Sequence, residues 1–182
     1  TAWIGFLYDG KLISAEIDLL DNKKLIRSYT WGLDHAGTKQ QVGGIGALLG
    51  MEAVQPDGSS KDYYYADDAG GNIAKVIEAK ADGSLEIANS YEYGPFGQVI
   101  AKTETITNPF QFNTKYCDSE TGLVAYPVRY YDSKAGRWLN QDPIGVNGGI
   151  NTYNSVSNNM VNGFVGGLGY SSGMGLRIGS FG

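Results

Sequence analysis

Alternation of apolar and polar residues with period two, cut at short intervals by turn signals, is the feature that most restricts what this chain can fold into. In "KLISAEID" one face carries Ile13, Ala15 and Ile17 and the other Ser14, Glu16 and Asp18. In "SLEIANSYEYG" the faces separate Leu85, Ile87, Tyr91 and Tyr93 from Glu86, Ser90 and Glu92. Such segments read as half-buried antiparallel strands, with little sign of helical period. Between them stand Asp9-Gly10, Pro56-Asp57-Gly58, Asp82-Gly83 and Gly94-Pro95-Phe96-Gly97, which supply the backbone angles that hairpins need. The expected class is therefore all-β: successive antiparallel hairpins forming a curved or spiralling sheet.

Composition narrows the partners. The 182 residues include 27 Gly and 13 Tyr, and the net charge of -5 argues against nucleic acid. One cysteine, Cys117, excludes an internal disulfide framework and any thiolate metal cluster. No secretory signal pattern is present, and no apolar run reaches the roughly 18 residues of a membrane span. The start at Thr1, leading straight into the strand-like "WIGFLYDG", reads as part of a longer chain.

One stretch breaks the alternation. "GTKQQVGGIGALLGME" reads as a loop packed on a sheet, with one short helical turn at Ala47 to Met51. Its glycines at 43, 44 and 46 fit neither common phosphate-binding signature. Internal echoes then appear. "YADDAGGNIAKVI" from Tyr65 superimposes on "YEYGPFGQVIAK" from Tyr91 at an offset of 26, placing Asp68 on Gly94, Gly71 on Gly97 and Ile73 on Val99. "YCDSETGLVAY" from Tyr116 and "YYDSKAGRWLN" from Tyr130 repeat at an offset of 14, with Asp118 over Asp132 and Gly122 over Gly136. In the latter pair an Asp caps a turn that a Gly closes. A repeated hairpin needs neighbours to bury its apolar face, so stacked copies form a continuous sheet or spiral.

The Tyr-turn-Gly units, followed by "NPFQFNTKY", "ETGLVAYPVRYYDSKAGRWLNQDPIG" and "GGINTYNSVSNN", resemble the Rhs/YD-repeat family, and specifically its Rhs repeat-associated core domain. The resemblance runs from about Phe6 to Asn159 and is densest from Thr121 onward. It implies a hollow shell wound from hairpins, a core domain plugging one end, and a variable C-terminal toxin held inside. In several members the core behaves as an aspartic autoprotease that cuts the chain just beyond itself. Members are typically exported, so a secreted or cell-surface location is implied. The division expected is a core-like β domain over 1–159 and a Gly-rich apolar tail over 160–182.

The catalytic candidates are Asp142 and Arg137. Two carboxylates sharing a proton are what such a protease requires. A second Asp-Pro motif is usual downstream in the family, but here Met160 replaces a Pro, and Val165, Gly166 and Gly167 occupy the region of the second Asp-Pro. Asp142-Pro143 with Gly145 is therefore read first as a turn, with Arg137 pairing with Asp142 or with a carbonyl. Asp118 or Asp132 would have to supply the second acid under the enzymatic reading.

His35, the only histidine, sits in the turn-like "LDHAGT" and reads as solvent-facing. Asp67-Asp68 and Asp118/Glu120 lack the spacing of an all-protein calcium loop and read as turn caps. Cys117 reads as a buried small apolar residue, and the tyrosines as cross-strand pairs rather than a stacking surface for sugars or peptides. The tail has 8 glycines in its last 20 residues, interleaved with apolar residues, and suits an extended strand inside a shell or in a neighbour's groove. The expected role is a non-catalytic structural module that closes or supports a β-shell, without cofactor or metal. Its expected partners are other YD-repeat segments of the same or a neighbouring chain. Two alternatives stand beside it: the autoprotease, and a subunit that assembles with its own copies through strand edges and the tail.

Overall fold

The computed structural model describes residues 3–143, 145 and 151–155. The tail from 160 and the region of the second Asp-Pro lie outside these. Eight strands form one antiparallel meander in chain order: β1 (Ile4–Asp9), β2 (Leu12–Asp18), β3 (Lys24–Trp31), β4 (Leu48–Val54), β5 (Ser60–Asp67), β6 (Ile73–Ala79), β7 (Leu85–Tyr93) and β8 (Val99–Glu104). A second sheet, in the order β12-β11-β10-β9, is built from β9 (Tyr116–Cys117), β10 (Val124–Ala125), β11 (Tyr130–Asp132) and β12 (Arg137–Trp138). The chain is all-β and the large sheet is open, with β1 and β8 at its edges.

Five turns share one hydrogen-bond pattern, in which the first residue's N–H donates to the carbonyl four residues on and the fourth residue's N–H returns to the first carbonyl. They begin at Asp34, Gln55, Asp68, Lys80 and Gly94. In each the fourth residue is a glycine with positive φ, Gly37, Gly58, Gly71, Gly83 and Gly97. This is the three-residue turn with a left-handed bulge residue, the form that "PDG", "ADG" and "GPFG" encode.

Six of the seven strand pairings in the large sheet carry a register shift, β4–β5 alone being regular. Each bulge bends its strand and adds local twist. Bulges also change which residues face inward, and this corrects the simple alternation. Between β6 and β7, Val76 pairs with Asn89 and Ile77 with Ile87, so Ala88 is the extra residue. Ala88 and Asn89 are both buried, whereas Leu85 and Ile87 are exposed. In β2 the expected solvent face carries Glu16, which is fully buried. Its carboxylate accepts from the Tyr29 hydroxyl at 2.5 Å and pairs with Arg27 at 2.9 Å, which satisfies the buried charge. In place of the helical turn expected at Ala47 to Met51, Leu48 to Met51 belong to strand β4 and Ala47 precedes it. Thr30 pairs with Gly50 and Trp31 with Leu48, so exposed Leu49 is a bulge that hides the alternation.

The main core joins Tyr29, Leu48, Met51, Tyr63, Ile73, Val76, Ala88 and Tyr91 of the sheet to Phe110. Phe110 belongs to the connection after β8, and its ring meets those of Tyr29, Trp31 and Tyr116 edge-on. The connection then makes a 3-10 turn, Phe112–Thr114, in which Asn113 and Thr114 have positive φ. The second sheet has its own core of Phe112, Val124, Tyr126, Tyr131 and Trp138, with Tyr93 packed against it.

Candidate functional site

Asp142 lies just beyond β12. Its N–H donates to the Thr152 carbonyl (2.9 Å), and its own carbonyl accepts from Gly145 N–H (2.8 Å). Asp142, Pro143 and Gly145 thus belong to a closed turn, with Gly145 at a φ of 60°. The Asp142 side chain is buried and points at a different cation from the one expected. Arg129 Nη1 stands 3.0 Å from Asp142 Oδ2, and both side chains are almost fully withdrawn from solvent. Arg137 is exposed in β12, where it pairs with Asp132 in the sheet and bridges to Asn154. The reason is alternation: Trp138 points into the core, so its neighbour Arg137 points out.

Arg129 also stacks on Trp138, its guanidinium carbon 3.9 Å from the ring centroid, and Trp138 meets Tyr126 and Tyr131 edge-on. Burial pulls the Arg129 guanidinium below its ordinary range, and Asp142 opposes that shift. An ion pair held this way fixes the chain behind β12 against the small sheet. The carboxylates named as substitutes for a second acid serve turns. Asp118 Oδ1 accepts from Glu120 N–H and Oδ2 from the Thr121 hydroxyl, while Asp132 Oδ1 accepts from Lys134 and Ala135 N–H. Gly122 and Gly136 close those two turns with positive φ. Asp68 likewise accepts from Gly70 and Asn72 N–H.

Arg129 had a sequence signal. At the offset of 14 it falls on Lys115, so a basic residue precedes the tyrosine in both echoes. Both cations are buried and both lie over an aromatic ring, Lys115 over Tyr126 at 5.7 Å. His35 lies in an exposed turn with Nε2 3.4 Å from Asp67 Oδ2. Cys117 is half-buried, and burial raises its thiol pKa. Tyr63, Tyr91, Tyr126 and Tyr131 are core residues, whereas Tyr64 and Tyr130 are about half exposed.

The second sheet is fastened to one end of the large sheet, where the turns at 34–38, 68–72 and 94–98 emerge. Thr114 donates its hydroxyl to the Gly71 carbonyl (2.7 Å) and accepts from Gly46 N–H (2.9 Å). Asn113 N–H donates to Asn72 Oδ1, Tyr131 hydroxyl donates to the Phe96 carbonyl, and Lys115 Nζ donates to the Gly43 carbonyl. Phe112 packs on Gly97, where a Cβ would collide with its ring.

A hairpin meander bent by repeated bulges, with a small sheet tied to its glycine turns, defines a shell-type β-repeat module. The Teneurin YD-shell family matches residues 46–164, and the chain belongs to this Rhs/YD-repeat family. Double-stranded DNA deaminase toxin A of Burkholderia cenocepacia (strain H111) is 39% identical over 82 residues, covering 42% of this chain and 6% of that protein. Toxin subunit YenC2 of Yersinia entomophaga is 33% identical over 118 residues, 62% of this chain and 12% of that protein. Among solved structures, TcdB2-TccC3-TEV superimposes with a TM-score of 0.63 at 20% identity, covering 90% of this chain and 7% of that one. That likeness shows the fold alone. The chain thus spans only a small fraction of the length of these relatives.

Proposed function

We propose that the chain is a non-catalytic structural module, the C-terminal core of an Rhs/YD-repeat protein, which closes or supports a β-shell. Residues 1–159 form its body and 160–182 its tail. The observation that carries this reading is that the connection leading into β9, through Asn113, Thr114 and Lys115, and the second sheet itself, through Tyr131, are fastened to the turn end of the large sheet. Its partners are other YD-repeat segments of the same or a neighbouring chain, and the toxin names of its relatives favour export to the outside or surface of the cell. Asp142 serves this reading as an anchor for the chain behind β12.

Intact mass and thermal unfolding of the protein and of Asp142→Asn test the reading. An anchor predicts a single uncut mass for each protein and a lower Tm for the variant. A shorter product in the wild type that Asp142→Asn abolishes overturns it in favour of autoproteolysis. A second reading, assembly of copies through strand edges, is favoured by the apolar side chains exposed on β1: Ile4, Phe6, Leu7 and Tyr8.

A further inference from the structure

A cavity of about 420 Å³ lies at the junction of the two sheets, between the β1–β2 turn, Trp31 of β3, the Phe110–Tyr116 connection and the chain around Tyr126. Its volume falls within the range of small-molecule sites. Trp31, Phe110, Tyr116 and Tyr126 give it aromatic walls, and Tyr8 and Tyr130, both well exposed, also line it, so it opens to solvent. Two lysines line it, Lys11, which is exposed, and Lys115, which is only 7% exposed and so the buried cation of the site. Lys115 Nζ donates to the Gly43 carbonyl, and both partners of that bond line the cavity.

We propose that this cavity binds a small aromatic carboxylate, its ring between the aromatic walls and its carboxylate paired with the Lys115 ammonium. The internal echo supplies the comparison. Arg129, the counterpart of Lys115, is buried over Trp138 and meets the carboxylate of Asp142. Lys115 is buried over Tyr126 in the same way, but its hydrogen bond goes to a neutral carbonyl, and no carboxylate forms an ion pair with it among the described residues. An ammonium carries three donors, so donors remain beyond the one given to Gly43. Asp34 is the acid that acts on Lys115 electrostatically, yet its carboxylate is engaged by the N–H groups of Ala36, Thr38 and Val42. Burial correspondingly lowers the Lys115 pKa to about 8, the response of a cation without an adjacent anion. A bound carboxylate reverses that response and replaces lost hydration with a charge-assisted hydrogen bond.

The test titrates the full chain with phenylacetate and with its neutral isostere phenylacetamide, followed by NMR of the indole and aromatic resonances of Trp31, Phe110 and Tyr126. The expected result is saturable binding of phenylacetate at these residues, about tenfold or more tighter than the amide, the worth of one hydrogen bond to a charged group. In Lys115→Met the two ligands are expected to bind alike. Equal affinity in the wild type, absence of saturation for phenylacetate, or shifts mapped away from these residues overturns the proposal. Should Lys115→Met fail to fold, the acid-against-amide comparison in the wild type decides alone.

Discussion

Gly71 and Gly83 share a left-handed backbone, with φ of 74° and 83°, but not the same surroundings. A Cβ on Gly83 meets open space, whereas one on Gly71 collides with the Ile45 side chain and crowds the Gly46 backbone. Alanine at Gly83 is therefore expected to cost only the left-handed strain, about 1–2 kcal/mol. Alanine at Gly71 adds overpacking of a further 1–3 kcal/mol or so, and urea midpoints of the two variants measure the difference. Lys115 sets a second expectation. Its folded-state pKa of about 8 lies below the ordinary 10.5, so at lower pH both states carry the charge and the folded chain bears its burial. As pH rises from about 8 toward 10.5 the folded chain gives up a proton that the unfolded chain keeps, and stability rises. The full relief is about 3 kcal/mol. Above pH 10 the effect runs against the tyrosines, since burial holds Tyr91 and Tyr116 up at about 12 and their stabilisation is lost as pH climbs. Denaturant titrations between pH 7 and 10 are expected to show wild type gaining on Lys115→Met; a flat difference rejects the buried cation.

At the scale of elements, the hairpins were legible and the connections between sheets were not. "PDG", "ADG" and "GPFG" name their turns because the backbone chemistry is local: a glycine at the fourth position takes the positive φ that the bulge demands. Alternation holds only between bulges, so the extra residue Ala88 leaves Leu85 and Ile87 exposed rather than on the core face, and the bulge at Leu49 hides the strand character of β4. The pairing of Asp142 with Arg129 rather than Arg137 was hidden for a related reason, because which side of β12 faces the core depends on how the small sheet docks. Thr114 was not legible at all, since its partners, Gly71 and Gly46, are remote in sequence. It is a β-branched residue at a φ of 53°, a strained conformation held by surrounding bonds. Thr114→Val leaves the Gly71 carbonyl and Gly46 N–H without their partner and is expected to cost about 2–4 kcal/mol. Thr114→Ser keeps the hydroxyl and is expected to stay within about 1 kcal/mol of wild type. Hydrogen exchange at Gly46 and across β9 to β12 reads whether the small sheet loosens with the valine.

In the molecule as a whole, no further strand among the described residues pairs with either edge of the large sheet, β1 or β8, and the side chains there differ from those of a guarded edge. β1 exposes Ile4, Phe6, Leu7 and Tyr8, and β8 exposes Ile100. Isolated proteins blunt such edges with lysine, proline or inward charge, and only β8, with Lys102 and Glu104 near its end, carries any of these. Edge apolar residues without protection are what a strand awaiting another strand displays, and that holds whether the neighbour is another repeat or another copy. The purified chain is therefore expected to associate with rising concentration through β1. Leu7→Lys places a charge on that edge at a half-exposed site, where the fold itself is expected to change by no more than about 0.5 kcal/mol. Light scattering coupled to size exclusion separates the outcomes. A concentration-dependent mass in the wild type that collapses to a monomer in Leu7→Lys assigns the contact to β1, and the same collapse in Ile100→Lys alone assigns it to β8. Association that neither substitution alters places the contact off the sheet edges, and a wild type that stays monomeric at every concentration overturns assembly of copies through these edges.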